Sequence, residues 1–304
     1  MTMRSAHLGG IVLVAALAAA PPARSQEMEP RAFTPSPVGV DFYLVGYARS
    51  TGGILTDPSL PVDDVEATVN AGVLGYGRTF GFFGHLANLG FVQPWVSGHF
   101  TGTLDGEDAE ASRSGNGDLK VRFATNLIGG PALTLAEFAK RTPATTLGVS
   151  LTVSAPTGEY HPDKLINVGT NRWALKPEIG VSHPVGKWYL EAMAGVWFFE
   201  DNHDFFGGQL REQDPLLSMQ AHVSYTFRPK LWLAFNATYY DGGRTTINGL
   251  LKDDRQSNSR YGLTFSVPLT RAQSLKVYWN DGATTRIGSD FTTVGITWQY
   301  THLP

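Results

Sequence analysis

The chain has 304 residues, no cysteine, 34 glycines, 12% aromatic residues and a formal net charge of -3. Without cysteine it has no disulfide, thiolate metal site, cysteine nucleophile or lipidated anchor. A mildly acidic chain also lacks the basic footprint of a nucleic-acid binder.

Arg4 and His7 precede an apolar run from Ile11 to Ala20, and Ala23-Arg24-Ser25 puts small residues where a signal peptidase reads. Residues 1–25 are therefore predicted to be a secretory signal peptide cut before Gln26. The run falls well short of the roughly 20 residues that span a bilayer. Removing it takes away Arg4 and Arg24, which makes the mature chain more acidic by two charges. The proline-rich lead over 26–38 (Pro30, Pro35, Pro37) is expected to be a periplasmic tail. No later stretch approaches a spanning helix, so a mature chain in the membrane must be a closed barrel, the other structure that satisfies all backbone polar groups in lipid.

From the forties to residue 300 one texture repeats without a dividing linker: runs of roughly ten residues alternate apolar with polar or small, separated by turns and loops. The reading is all-β, a single transmembrane antiparallel β-barrel over 39–300 with about 12 strands. Predicted spans are 39–49, 65–79, 85–98, 116–128, 143–155, 171–183, 187–200, 215–228, 230–240, 258–267, 273–281 and 290–300. In 143–155, Leu147, Val149, Leu151 and Val153 share the lipid face, while Thr146, Gly148, Ser150 and Thr152 share the interior. In 187–200 the outward set is Trp188, Leu190, Ala192, Ala194, Val196 and Phe198, and in 230–240 it is Leu231, Leu233, Phe235, Ala237 and Tyr239. Aromatics at strand ends suit an interfacial girdle. A soluble β-sandwich would alternate too, but would need neither these apolar outward sets nor such a girdle.

Short connections near Val185-Gly186, Arg228-Pro229-Lys230 and Pro268 to Ala272 are expected at the periplasmic end, and the longer stretches 50–64, 99–115, 156–170, 201–214, 241–257 and 282–289 outside the cell. Within 129–142, Leu133 to Lys140 suits a short periplasmic helix. Bacterial barrels commonly end on an aromatic residue, and here residues 301–304 follow Tyr300 as an expected short tail.

Charges fall on the opposite parity. Asp118, Lys120, Arg122 and Asn126 share one face, as do Arg172, Lys176 and Glu178, and Glu191, Gln220, His222, Asn236, Arg260 and Lys276 follow on later strands. A Lys or Arg facing lipid at midplane costs about 2 to 4 kcal/mol, so these point into the lumen. The expected lumen-lining set is Lys120, Arg122, Asn126, Lys176, Glu178, Glu191, His222, Asn236, Arg260 and Lys276. They form either a permeation path favouring anionic or polar aromatic solutes or a salt-bridge network filling a barrel of intermediate width. The loop runs 161–173 and 241–260 could hold a solute or cation entry site, with Asp253 and Asp254 as oxygen ligands, or simply form turns.

The segments GDLKVRFATNLIGGPAL, TTLGVSLTVSAPTGEY, KLINVGTNRWALKPEIG, GVWFFEDN, SYTFRPKLWLAFNATYYDGGRTTINGL and NSRYGLTFSVPL resemble the outer-membrane transporter family named for its association with the meta-cleavage pathway of phenol degradation. The resemblance covers most of 65–300. It implies a barrel transporter or channel for small solutes in the bacterial outer membrane, with lipid and the barrel assembly machinery as partners. It brings no cofactor and no functional residues. The rival class is a barrel hydrolase, because outer-membrane phospholipases are also twelve-stranded. Such an enzyme needs a serine and a histidine aligned by a polar group. His222 and Ser224 share a strand face and Asn258-Ser259 lies elsewhere, but no spacing fixes a triad.

Overall fold

The computed structural model describes residues 28–56, 62–104 and 106–304. The predicted signal peptide and its cleavage point lie outside the described residues. The chain runs β1 (Asp41–Leu55), β2 (Val62–Phe82), β3 (His85–Leu104), β4 (Glu107–Asn116), β5 (Leu119–Ile128), α1 (Leu135–Phe138), β6 (Thr146–Ala155), β7 (Ala174–Val185), β8 (Trp188–Phe199), β9 (Asn202–Phe205), β10 (Gln209–Gln213), β11 (Leu216–Arg228), β12 (Leu231–Gly242), β13 (Thr245–Ile247), β14 (Leu250–Leu251), β15 (Gln256–Pro268), β16 (Gln273–Thr284) and β17 (Gly288–His302).

Twelve of these strands close an antiparallel barrel. Each pairs with its neighbours in chain order, β1 pairs with β17 from Asp41–His302 to Leu55–Gly288, and the sheet has no open edge within the membrane span. The expected faces hold. On β6, Thr146, Ser150, Thr152 and Ser154 are buried inside while Leu151 is exposed outside. Trp188, Leu190 and Phe198 of β8 and Leu233, Phe235 and Tyr239 of β12 face outward. Aromatic rings gather at the periplasmic rim, with Trp188, Tyr225 and Phe227 edge to face along one stretch and Phe82, Phe83 and Phe123 along another.

The periplasmic turns are short because the residues at their tips accept left-handed backbone, as at Phe83-Gly84, Gly186 and Lys230. The predicted helix forms as one turn, α1, closed by a capping box in which Thr134 and Glu137 exchange hydrogen bonds.

Several strand ends shift, as at β1, which runs to Leu55 into the stretch 50–64 expected as a loop, and three expectations change outright. Stretches 99–115, 201–214 and 241–257 contain strands: β4 extends the β3 hairpin beyond the barrel, and β9, β10, β13 and β14 form a small second sheet. β4 reads EDAEASRSGN, with no apolar face to signal a strand, and its ladder with β3 holds it. The first half of the expected tail 301–304 is strand, since β17 continues to His302 and Thr301 donates to the Ala272 carbonyl at 2.7 Å.

The third correction concerns the lead over 26–38, expected as a periplasmic tail. From residue 29 onward it is folded into the periplasmic half of the lumen. Phe33 is 3% exposed and lies on Gly148 and Gly180, where a Cβ would come within 2.3 Å of its ring. The Arg31 backbone N–H donates to Glu191 at 2.8 Å, and its guanidinium donates to Ser224 and Thr226. Val38 and Gly39 then hydrogen-bond Leu133 and Thr79 and lead the chain into β1. Inward polar groups at that end need partners once removed from water, and the lead supplies them.

Candidate functional site: the lumen and its extracellular mouth

The inward residues separate into three groups. The first is an ion-pair cluster on adjacent strands: Glu178 lies 3.1 Å from Lys176 and 3.6 Å from Arg122, and Ser150 donates to the same carboxylate at 3.4 Å. Lys176 also sits 5.3 Å over the Trp197 ring, and Arg122 5.1 Å over Phe33. The second group anchors the N-terminal segment. Glu191 accepts from Arg31, whose guanidinium lies 4.7 Å from both the Tyr189 and Trp232 ring centres, and Gln220 accepts from the Glu29 N–H. Asn126 is buried at this end beside Gly130 and Gly148.

The third group lines a lumen cavity of about 570 Å³ that reaches from the N-terminal segment to the extracellular loops. Lys120, Asn236, Arg260 and Lys276 belong to it, joined by Arg31, Arg172 and Arg211, against a single acid among the described residues, Glu29. Arg260 donates to Asn280 at 2.7 Å and to the Phe291 carbonyl. Asn236 ties His222 (2.8 Å) to Thr264 (2.9 Å) in a buried chain across β11, β12 and β15.

At the extracellular mouth the loop between β6 and β7 folds across the opening. Asp118, expected among the lumen charges, clamps it instead: one carboxylate oxygen accepts from the Gly158 N–H at 2.9 Å, the other from the N–H and hydroxyl of Thr170 at 3.0 and 2.6 Å. Tyr160 donates to the Asp204 carbonyl, accepts from Asn202, and is held above the ordinary phenol range by burial. Arg172 donates to Gln213 of β10 and lies 4.8 Å from the Phe199 ring centre. Burial pulls the Arg211 guanidinium below its usual value, with Asp254 working the other way.

Residues 50–295 match the family described as the MetA-pathway of phenol degradation. The chain belongs to that family. Among solved structures, an outer membrane channel from Pseudomonas putida F1 is similar at TM-score 0.78 and 24% identity, over 91% of this chain and 100% of that one. The β domain of the Bordetella autotransporter BrkA is similar at TM-score 0.50 and 12% identity, over 87% and 100%. The translocator domain of the autotransporter NalP from Neisseria meningitidis is similar at 0.50 and 8%, over 89% and 90%. No curated protein matches. The shared fold is that of outer-membrane barrels, and this member of the phenol-degradation family is one.

Within the family barrel the two loop acids take separate partners. Asp253 pairs with Arg286 at 2.7 Å, whereas Asp254 accepts from the N–H and hydroxyl of Thr245, so the expected cation ligands diverge. Among the described residues no cluster of His, Asp and Glu has the grouping of a metal site. Ser224 accepts from Arg31 while His222 faces Asn236, so the pair on one strand face is not a nucleophile with its base. Two arginines of the cavity are not evident from the sequence. Arg31 lies in the proline-rich lead, where a cation next to Ala32-Phe33 was the single clue, and Arg211 lies in a strand too short to show alternation.

Proposed function

We propose that this barrel is an outer-membrane channel for small anionic solutes, aromatic anions included. The cavity charge carries the reading: Arg31, Lys120, Arg172, Arg211, Arg260 and Lys276 line one continuous space, with Glu29 as the opposing charge among the described residues. In a narrow lumen with low-dielectric walls, such an excess of one sign raises the local concentration of counter-ions and disfavours cations. Trp197, Tyr240, Tyr278 and Trp279 in the same wall offer ring faces to an aromatic solute. The similar Pseudomonas putida structure is described as a channel, which fits.

The test is the reversal potential of the reconstituted protein in a planar bilayer under a potassium chloride gradient. An anion-selective current is expected, with selectivity reduced in Lys120→Ala/Lys276→Ala while gel migration stays that of the folded barrel. No conductance, or a preference for potassium, overturns the reading.

A further inference from the structure

The outer end of the lumen departs from the polar character of the rest. Ile54 of β1, Val69 of β2 and Phe291 of β17 are buried together on the inner face, with Val96 and Phe100 of β3 packed on them. Leu165, Ile166 and Val168 of the β6–β7 loop roof this cluster, and Phe205 of β9 closes its side. The loop is fixed in place by Asp118 and, internally, by Asn167, which accepts from the His161 N–H at 2.7 Å and donates to the Lys164 carbonyl at 2.7 Å. The chamber encloses about 80 Å³. That is room for a few waters or one small ring, and an apolar wall gives waters little to bond to.

Arg113, Arg172 and Arg211 also line the chamber, with no acidic residue beside them among the described residues. Arg113 donates from Nε to the Ile166 carbonyl at 2.8 Å. Arg211 lies 5.2 Å from the Phe205 ring centre, and its buried Nε has no hydrogen-bond partner among the described residues. A buried donor left unpaired is costly, and the ligand that relieves it is an acceptor, best an anionic one. Asp254, the acid whose charge acts on Arg211, is itself occupied with Thr245. Val69, Val96, Arg172, Arg211, Ser289 and Phe291 line both chamber and lumen cavity, so the chamber opens inward onto the basic path.

We propose that this chamber is a binding site for a small aromatic monocarboxylate, its ring among Val96, Phe100, Ile166 and Phe205 and its carboxylate on Arg211. The site deepens the reading of the barrel as a channel for small anions and names the solute class. An apolar wall alone would select neutral rings, and arginines alone would select inorganic anions. The combination requires both features in one molecule.

Isothermal titration of the full-length protein in detergent, with benzoate, acetate and benzyl alcohol as probes, tests this. Benzoate is expected to bind, with acetate and benzyl alcohol each at least tenfold weaker. Arg211→Gln is expected to weaken benzoate about tenfold, and Ile166→Ser to weaken it several-fold, with heat-modifiable gel migration confirming that each barrel is folded. Ile166→Ser lies in a loop and keeps the test decisive should Arg211→Gln fail to fold. Equal binding of acetate and benzoate, or unchanged benzoate binding in a folded variant, overturns the site. Chloride conductance of the same preparation separates the two readings: current without benzoate binding removes the site alone, and benzoate binding without current removes the channel while sustaining the site.

Discussion

Glu178 serves two cations at once. With its side chain 4% exposed, it holds Lys176 at 3.1 Å and Arg122 at 3.6 Å. Removing its charge leaves both cations in a low-dielectric wall without their counter-ion, so Glu178→Gln is expected to destabilise the barrel by about 3 to 5 kcal/mol. Thermal loss of the folded gel band at a clearly lower temperature checks this, and an unchanged midpoint refutes it. Strand parity in the sequence was enough to turn Arg122, Lys176 and Glu178 inward. It could not say that they meet, because the meeting depends on cross-strand register: Arg122 lies opposite Thr152, Thr152 opposite Lys176, and Ser150 opposite Glu178. Asp118 shared the same parity and does something else, since the loop that claims it comes from 40 residues onward.

At the scale of elements, the N-terminal segment occupies the periplasmic half of the lumen. Its Phe33 rests on two glycines, Gly148 and Gly180, and its Arg31 fills the space between Tyr189 and Trp232. A mature chain lacking residues 26–36 is expected to fold and to conduct more than the whole chain, and an unchanged single-channel conductance would show that the segment does not restrict the lumen. Gly180→Val should act in the same direction, because the added side chain takes the place of the Phe33 ring. The strands themselves were legible because lipid outside and polar groups inside impose a period of two over many residues. The lead was not legible, since it has no periodicity and its place depends on Glu191, Ser224 and Thr226, which lie more than 150 residues later. β4 was missed for a related reason: both its faces meet water, so nothing in EDAEASRSGN separates them.

The whole molecule is a closed ring of strands, and closure makes its unfolding concerted. With no free edge in the membrane, detergent has nowhere to begin peeling the sheet apart. The unboiled protein is therefore expected to migrate as a compact band and the boiled protein as an extended one, and identical mobility would count against closure.

That closure is made by the pairing of β1 with β17, the first barrel strand with the last, register-matched from Asp41–His302 to Leu55–Gly288. The ring is thus sealed by the pair of strands farthest apart along the chain, the slowest kind of contact to form. The N-terminal segment joins directly to β1 and ends up enclosed. Its docking and the sealing of the ring are therefore coupled events in time, and substitutions along this seam should first slow the maturation of the barrel, before they alter anything the finished barrel does.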